Sequence, residues 1–227
     1  GYASDKAGSK AVALLEWAAA RGQRCLLFDY AGCGESDGVF ADETLESWRD
    51  DALAILDSVA ETLAKQGDSR FLLVGSSMGG WLMLLVALAR PQQVAGLIGI
   101  AAAPDFTHWG YSAEQKAEMA RNGRLYEDNP YGPEPTLTTH ALWQSGERNR
   151  LLGGPIAFDG PVHLLHGQAD GDVPPAIALQ LGAQLRSAKV VTTLVKDGDH
   201  RLSRPDDIAR LLATVDQMIT TLTGDTP

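Results

Sequence analysis

The stretch that decides the fold is Phe71-Leu72-Leu73-Val74-Gly75-Ser76-Ser77-Met78-Gly79-Gly80-Trp81. A short apolar run leads into a Gly-x-Ser-x-Gly motif, and a long apolar run follows it. This order predicts a buried strand, a sharp turn and a buried helix, the setting in which the motif exposes a nucleophilic Ser77. Glycines at 75 and 79 leave room beside the serine, and the Met78 N–H points to where an oxyanion would form. The alternative is a Gly-rich turn without chemistry.

The composition narrows the possible classes of function. A chain of 227 residues fits one α/β domain, which we expect to span 1–227. The net charge of −10, with no cluster of Lys and Arg, argues against a nucleic-acid partner. No apolar run is long enough for a membrane span, and no zinc-type spacing of Cys and His occurs, so no metal site is expected. Because Cys25 and Cys33 lie in an apolar strand and a Gly-rich loop, a reducing compartment such as the cytoplasm is favoured.

Helical periodicity alternates with short apolar runs along the chain. The pattern predicts helices over 7–20, 44–66 and 79–90, and strands over 24–30, 70–75, 94–101, 161–166 and 189–195. Two further helices follow the last two strands. This order predicts a mostly parallel, doubly wound sheet of five strands with right-handed crossovers.

Residues 104–160 interrupt the alternation. They are rich in proline and aromatic residues and show no strand pattern, and short helices are expected at 112–122 and 137–144. We interpret this segment as a helical cap over the carboxyl edge of the sheet, where open α/β folds bind ligands. Trp109 and Trp143 from the segment, with Trp81 beside the motif, are candidate substrate-binding residues. The alternative for all three is packing, which is slightly favoured for Trp81.

Ser77, Asp170 and His200 each follow a predicted strand, in the order nucleophile, acid and base. A serine nucleophile needs a base, and the base needs an acid that holds its tautomer. Because the carboxyl ends of parallel strands meet at one edge of the sheet, these three residues form the candidate catalytic triad.

Other histidines and acids compete for these roles. Asp172 is the main rival as the acid, although it is better placed to cap the following helix. Among the histidines, those within or at the end of a strand are expected to be structural, and those in the 104–160 segment at most contact substrate. They are His163, His166, His108 and His140. Asp197 and Asp199 are interpreted as turn residues.

Three stretches resemble the α/β-hydrolase superfamily. They are the Gly-x-Ser-x-Gly motif, His166-Gly167-x-x-Asp170-x-x-Val173-Pro174 and Asp199-His200-Arg201. More narrowly, 75–81 and 198–201 resemble the mitochondrial palmitoyl-protein thioesterase and acyl-glucuronide esterase subfamily and its bacterial relatives, and the likeness covers nearly the whole chain. The resemblance implies an α/β-hydrolase fold and hydrolysis of acyl esters or thioesters without metal or cofactor. It also implies a small-molecule or acylated substrate, and it adds the mitochondrial matrix as a second possible location.

The start of the chain departs from the family pattern. In the family, strands and a His-Gly or Gly-Gly turn precede the segment that resembles Gly1-Tyr2-Ala3-Ser4-Asp5. The resemblance implies that the second oxyanion donor is a backbone N–H near Tyr2. We therefore expect roughly 20–30 further residues upstream in the natural protein, ending in an apolar strand. The alternative is that other contacts hold the loop.

Together these features predict a serine esterase or thioesterase that acts through an acyl-enzyme. A serine peptidase on the same scaffold is the first alternative, since the triad serves both reactions. A non-enzymatic binding module is the second, although none of the triad residues is lost.

Overall fold

The computed structural model describes residues 1–64 and 70–224. The helices in these ranges are α1 (Ser9–Ala20), α2 (Leu45–Ala64), α3 (Met78–Ala89), α4 (Phe106–Trp109), α5 (Ala113–Asn122), α6 (His140–Arg148), α7 (Pro175–Gln184) and α8 (Pro205–Thr223). The strands are β1 (Phe71–Ser76), β2 (Val94–Ile100), β3 (Arg124–Glu127), β4 (Thr136–Thr139), β5 (Val162–Gly167) and β6 (Val190–Val195). The predicted end of the second helix, at residue 66, lies outside the described residues.

The central sheet has the order β1-β2-β5-β6, and all its pairings are parallel. Neighbouring residues of one strand face opposite sides of the sheet. Leu97 and Leu164 pack with α2, α3 and α7 on one side, whereas Ile98 and Leu165 pack with α1 and α8 on the other. Burial on both sides explains why β2 contains no polar side chain. The predicted class, a doubly wound and mostly parallel α/β fold, is confirmed.

The predicted strand at 24–30 is wrong, since this segment forms no strand. β1 is an edge strand: it pairs with β2 on one side, and no strand of the described residues is hydrogen-bonded to its other side. A strand is defined by a hydrogen-bonded neighbour, so apolar character alone does not produce one. The segment is instead held by Asp29, whose carboxylate accepts hydrogen bonds from the backbone N–H groups of Lys6 and Glu35.

The expectation that 104–160 lacks strands is also wrong. β3 and β4 pair antiparallel within it, with Arg124 opposite Thr139. The sequence pattern does not reveal the hairpin, because each strand has only four residues and the loop between them holds three of the five prolines of the segment. The predicted helices are present as α5 and α6. Helix α6 begins at His140, later than predicted, because the Thr139 hydroxyl caps it by accepting from the Leu142 N–H.

The 104–160 segment is tied to the rest of the fold at its base. The buried Asp105 carboxylate accepts hydrogen bonds from the Leu151 and Leu152 N–H groups, which closes the two ends of the segment together. Glu46 of α2 accepts from the Arg148 guanidinium at 2.6 Å, and this contact lowers the Glu46 pKa to about 2. The segment is therefore anchored to α2.

The tight packing of the turn between β1 and α3 leads to a prediction about the stability of the fold. A Cβ at Gly75 would lie 2.3 Å from the Gly79 carbonyl oxygen, which belongs to the backbone of α3 and cannot move aside. We expect Gly75→Ala to lower the free energy of unfolding by about 2–3 kcal/mol, measured by urea denaturation. Gly153→Ala is the matched control, because no atom lies within 4 Å of its added Cβ. Equal unfolding midpoints for the two variants would contradict this prediction.

Candidate active site

Ser77 sits in the sharp turn between β1 and α3. Its backbone has φ 54° and ψ −122°, a strained conformation for a residue other than glycine. The strained conformation is held by β2 and the loop after it, because the Ser77 N–H donates to Ile100 O at 2.9 Å and the Ser77 carbonyl accepts from Ala103 N at 3.0 Å. The turn thus holds the Ser77 side chain at the carboxyl edge of the sheet.

The structure brings Ser77, His200 and Asp170 together. The Ser77 Oγ lies 3.2 Å from His200 Nε2, and His200 Nδ1 lies 2.9 Å from Asp170 Oδ2. Asp170 follows β5 and His200 follows β6, so the adjacent parallel strands deliver the acid and the histidine to one edge. The Asp170 carboxylate is fully buried, and the His200 side chain is 15% exposed.

Asp170 is held by four hydrogen-bond donors. Its Oδ1 accepts from the backbone N–H groups of Asp172 and Val173, and its Oδ2 contacts both His200 and His166. Burial alone would raise the pKa of Asp170, but hydrogen bonds from His166, His200 and the Val173 N–H outweigh it and hold the pKa well below its usual value. The carboxylate therefore remains ionised at neutral pH.

Asp172, the rival acid, lies on the other side of the imidazole. Its Oδ2 is 3.9 Å from His200 Nε2, and it accepts a hydrogen bond of 2.5 Å from the Tyr131 hydroxyl. The side chain of Asp172 is 40% exposed. The geometry thus places Asp170 rather than Asp172 at the His200 nitrogen that faces away from the serine.

The two candidate oxyanion donors, the backbone N–H groups of Met78 and Tyr2, belong to segments that lie close together. Met78 is the first residue of α3, so its N–H has no partner within the helix. The Gly1 nitrogen is 3.8 Å from the point where a Cβ of Gly79 would lie, which brings the start of the Tyr2 segment against the same turn.

The Tyr2 side chain anchors this segment. Its ring contacts Phe40, Trp48 and Phe106, and its hydroxyl donates to Leu137 O at 2.5 Å. Burial raises the Tyr2 pKa, so the hydroxyl stays a donor. These contacts hold the Tyr2 segment in this structure.

The three candidate substrate-binding tryptophans all donate hydrogen bonds to backbone carbonyls of 104–160. Trp81 is completely buried, with its Nε1 3.1 Å from Asn149 O. Trp109 donates to Pro104 O and Trp143 to Thr107 O, and both rings are half-buried. The structure therefore places Trp81 in the core, where it holds the segment, and leaves only Trp109 and Trp143 partly open to solvent.

The remaining histidines have other partners. His163 contacts Thr193 Oγ1 across β5 and β6, and burial lowers its pKa. His108 lies 3.4 Å from Glu147, and His140 stacks on Trp143. His166 was expected to be structural, but it contacts the carboxylate of the candidate acid. The only sequence signal for this contact was its i, i+4 spacing from Asp170.

Tyr131 was not singled out from the sequence as a site residue. The loop between β3 and β4 brings its ring to 6.5 Å from the His200 ring, and the Arg201 guanidinium lies 5.5 Å from the Tyr131 ring centre. Because the pairing of β3 with β4 determines where this loop lies, no local sequence pattern indicates the contact.

Three further findings concern the described part of the chain. No helix within 1–64 and 70–224 is both long enough and apolar enough to cross a membrane. Across the same ranges, no group of three His, Cys, Asp or Glu side chains is arranged to bind a metal ion. Cys25 and Cys33 are free thiols.

Residues 6–142 match the family described as "Serine aminopeptidase, S33". The mouse (Mus musculus) protein "Palmitoyl-protein thioesterase ABHD10, mitochondrial" is 40% identical over 100% of this chain and 75% of its own length. A solved structure from Agrobacterium vitis S4 is 42% identical, with a TM-score of 0.89 over 96% of this chain and 85% of that one. The solved mouse "Alpha/beta hydrolase domain-containing protein 10" is 38% identical, with a TM-score of 0.87 over 98% and 88% of the two chains. The predicted superfamily is thus confirmed, and the chain belongs to the serine aminopeptidase S33 family of α/β-hydrolases, with the ABHD10 proteins among its relatives.

Proposed function

We propose that this hydrolase cleaves carboxylic esters or thioesters of acylated substrates through a Ser77 acyl-enzyme. The observation that carries the proposal is the continuous series of contacts from Ser77 Oγ to His200 and from His200 to Asp170, at 3.2 and 2.9 Å. Such a series activates a serine without a metal or a cofactor.

Each residue has one role in the proposed reaction. His200 Nε2 takes the Ser77 proton as the Oγ attacks the acyl carbonyl, and the buried Asp170 carboxylate stabilises the imidazolium that forms. The N–H groups of Met78 and Tyr2 bind the oxyanion of the tetrahedral intermediate. His200 then protonates the leaving alcohol or thiol, and a water molecule activated by the same base releases the acid.

The relatives support an acyl thioester as the substrate class. A protein 40% identical to this chain is named as a palmitoyl-protein thioesterase, so a long acyl chain is the substrate group that we propose. We further propose that 1–227 is one domain in which 104–160 forms a cap over the site, and that Trp109 and Trp143 line the acyl groove. Because the same relative is named as mitochondrial, we favour the mitochondrial matrix over the cytoplasm.

A serine peptidase is the second candidate function, and the description of the matched family favours it. The same triad cleaves amides, so its geometry does not separate the two reactions. The complete series of hydrogen bonds from Ser77 to Asp170 argues against a non-enzymatic binding module.

A substrate panel tests the proposal. We expect the protein to hydrolyse p-nitrophenyl esters from acetyl to palmitoyl and palmitoyl-CoA, with a kcat/KM at least about 10³ times that for aminoacyl p-nitroanilides. The measurement is the initial rate at which p-nitrophenol or p-nitroaniline is released, followed by absorbance. For palmitoyl-CoA, a thiol reagent detects the free thiol. Faster cleavage of the anilides would favour the peptidase instead.

The same panel tests the acyl groove. We expect Trp109→Ala and Trp143→Ala to lower kcat/KM for palmitoyl esters about 10-fold more than for acetyl esters, because lost apolar contact grows with chain length. Trp81→Phe is the control, since its buried ring should affect all chain lengths equally. Equal losses across chain length in the Trp109 and Trp143 variants would leave these rings only a packing role.

A further inference from the structure

His166 is a buried titratable residue that the proposed reaction does not use directly. It lies near the end of β5, and its side chain is completely buried. Its Nε2 is 2.9 Å from Val173 O and 3.3 Å from Asp170 Oδ2. The candidate acid therefore contacts two histidines through the same carboxylate oxygen, since His200 Nδ1 also contacts Oδ2.

The two partners of His166 determine which nitrogen carries its proton. A carbonyl oxygen and an ionised carboxylate both accept hydrogen bonds, so Nε2 must be the donor. His166 Nδ1 is buried and has no hydrogen-bond partner in the described part of the structure. Leaving a buried polar atom unpaired is costly, and an apolar side chain would fill the same space without that cost. The presence of an imidazole at this position is thus explained by the hydrogen bonds that its Nε2–H donates.

The position of His166 in the sheet distinguishes it from the other donors to Asp170. The N–H groups of Asp172 and Val173 belong to the same loop as the acid, and His200 lies in the loop after β6. His166 alone among these four donors lies within a strand, and it is in register with Leu194 of β6. Its single N–H reaches both ends of the 170–173 turn, so it couples that turn to the sheet.

We infer that His166 is a positioning residue of the triad, which fixes the Asp170 carboxylate through its Nε2–H so that Oδ2 faces His200. This inference rests on the proposed function, because it assigns a role within the Ser77, His200 and Asp170 series. His166 does not contact the reacting atoms, so its loss affects the orientation of the acid and not the binding of substrate.

Three substitutions separate this role from packing. His166→Phe keeps a ring and removes the donor, His166→Gln keeps an N–H donor near the position of Nε2, and His166→Asn keeps an amide that is too short to reach. We expect the Phe and Asn variants to lower kcat for p-nitrophenyl acetate on the order of 10- to 100-fold, the range seen when partners that orient metal ligands are removed. The Gln variant should recover kcat to within about 3-fold of the wild type, and KM should change less than about 2-fold in all three.

His163→Phe is the matched control, because His163 lies on the same strand and contacts Thr193 rather than the triad. It should keep kcat within about 2-fold of the wild type. Thermal unfolding of each variant identifies those that are folded at the assay temperature. If the Phe variant does not fold, the ratio of Gln to Asn activity decides the question, since both are polar and only one reaches Asp170.

Two results would overturn the inference: wild-type kcat in folded His166→Phe or His166→Asn, or a folded His166→Gln that is as slow as the other two. Failure of the proposed function is distinguishable, because it would appear as retained activity in Ser77→Ala. Failure of the inference alone would leave Ser77→Ala inactive and the His166 variants active.

Discussion

Ser77→Ala and His200→Ala are each expected to lower kcat by about 10⁴ or more. The His200 Nε2 is 3.2 Å from Ser77 Oγ, and removing either partner leaves no activated nucleophile. Because the two residues act as one unit, the double variant should be no slower than the single ones by more than about 10-fold. The measurement is kcat on p-nitrophenyl acetate together with the rate of labelling by a fluorophosphonate.

Ser76→Ala provides the control for this prediction. Ser76 is the last residue of β1 and precedes the nucleophile in the same motif, and no role is assigned to its hydroxyl. It should keep kcat within about 5-fold of the wild type and should still be labelled by the fluorophosphonate. Labelling of Ser77→Ala, or turnover by it at a wild-type rate, would place the nucleophile elsewhere.

Asp170→Asn is expected to lower kcat by about 10³, whereas Asp172→Asn should lower it by less than about 10-fold. Asp170 Oδ2 accepts from His200 Nδ1 at 2.9 Å, and its buried charge balances the imidazolium that forms in the reaction. An asparagine there has no charge and favours the wrong imidazole tautomer if its amide N–H₂ turns toward Nδ1. Asp172 contacts His200 only at 3.9 Å, and an asparagine can still accept from Tyr131.

The two isosteric changes act as controls for each other, since both residues lie in one loop and lose one charge. Folded protein should be confirmed for each by thermal unfolding, because Asp170 is completely buried and Asp172 is 40% exposed. If Asp172→Asn proved the more damaging of the two, Asp172 would be the acid and the assignment of Asp170 would be wrong.

Strands and helices of the sheet were predictable because their signals are local. Strand β2 and the helix after Ser77 are almost entirely buried, and such burial requires continuous apolar sequence. The segment 24–30 is apolar in the same way but is not hydrogen-bonded to any strand of the described residues, so the strand predicted there is not formed. The opposite error occurred for β3 and β4, where no strands were predicted but a hairpin is present. Its strands are too short for alternation of apolar and polar residues to be recognised.

The sequence by itself determined the candidate nucleophile, acid and base of this protein, because each lies in a loop directly after a strand of a parallel sheet. Their order along the chain therefore predicts that they meet at one edge of the sheet. Tertiary structure alone decided which nitrogen of His200 each acid faces, that Trp81 is buried, and that His166 and Tyr131 reach the site. These contacts join residues whose side-chain directions depend on packing between separate elements, and packing at that scale leaves no period or motif in the sequence.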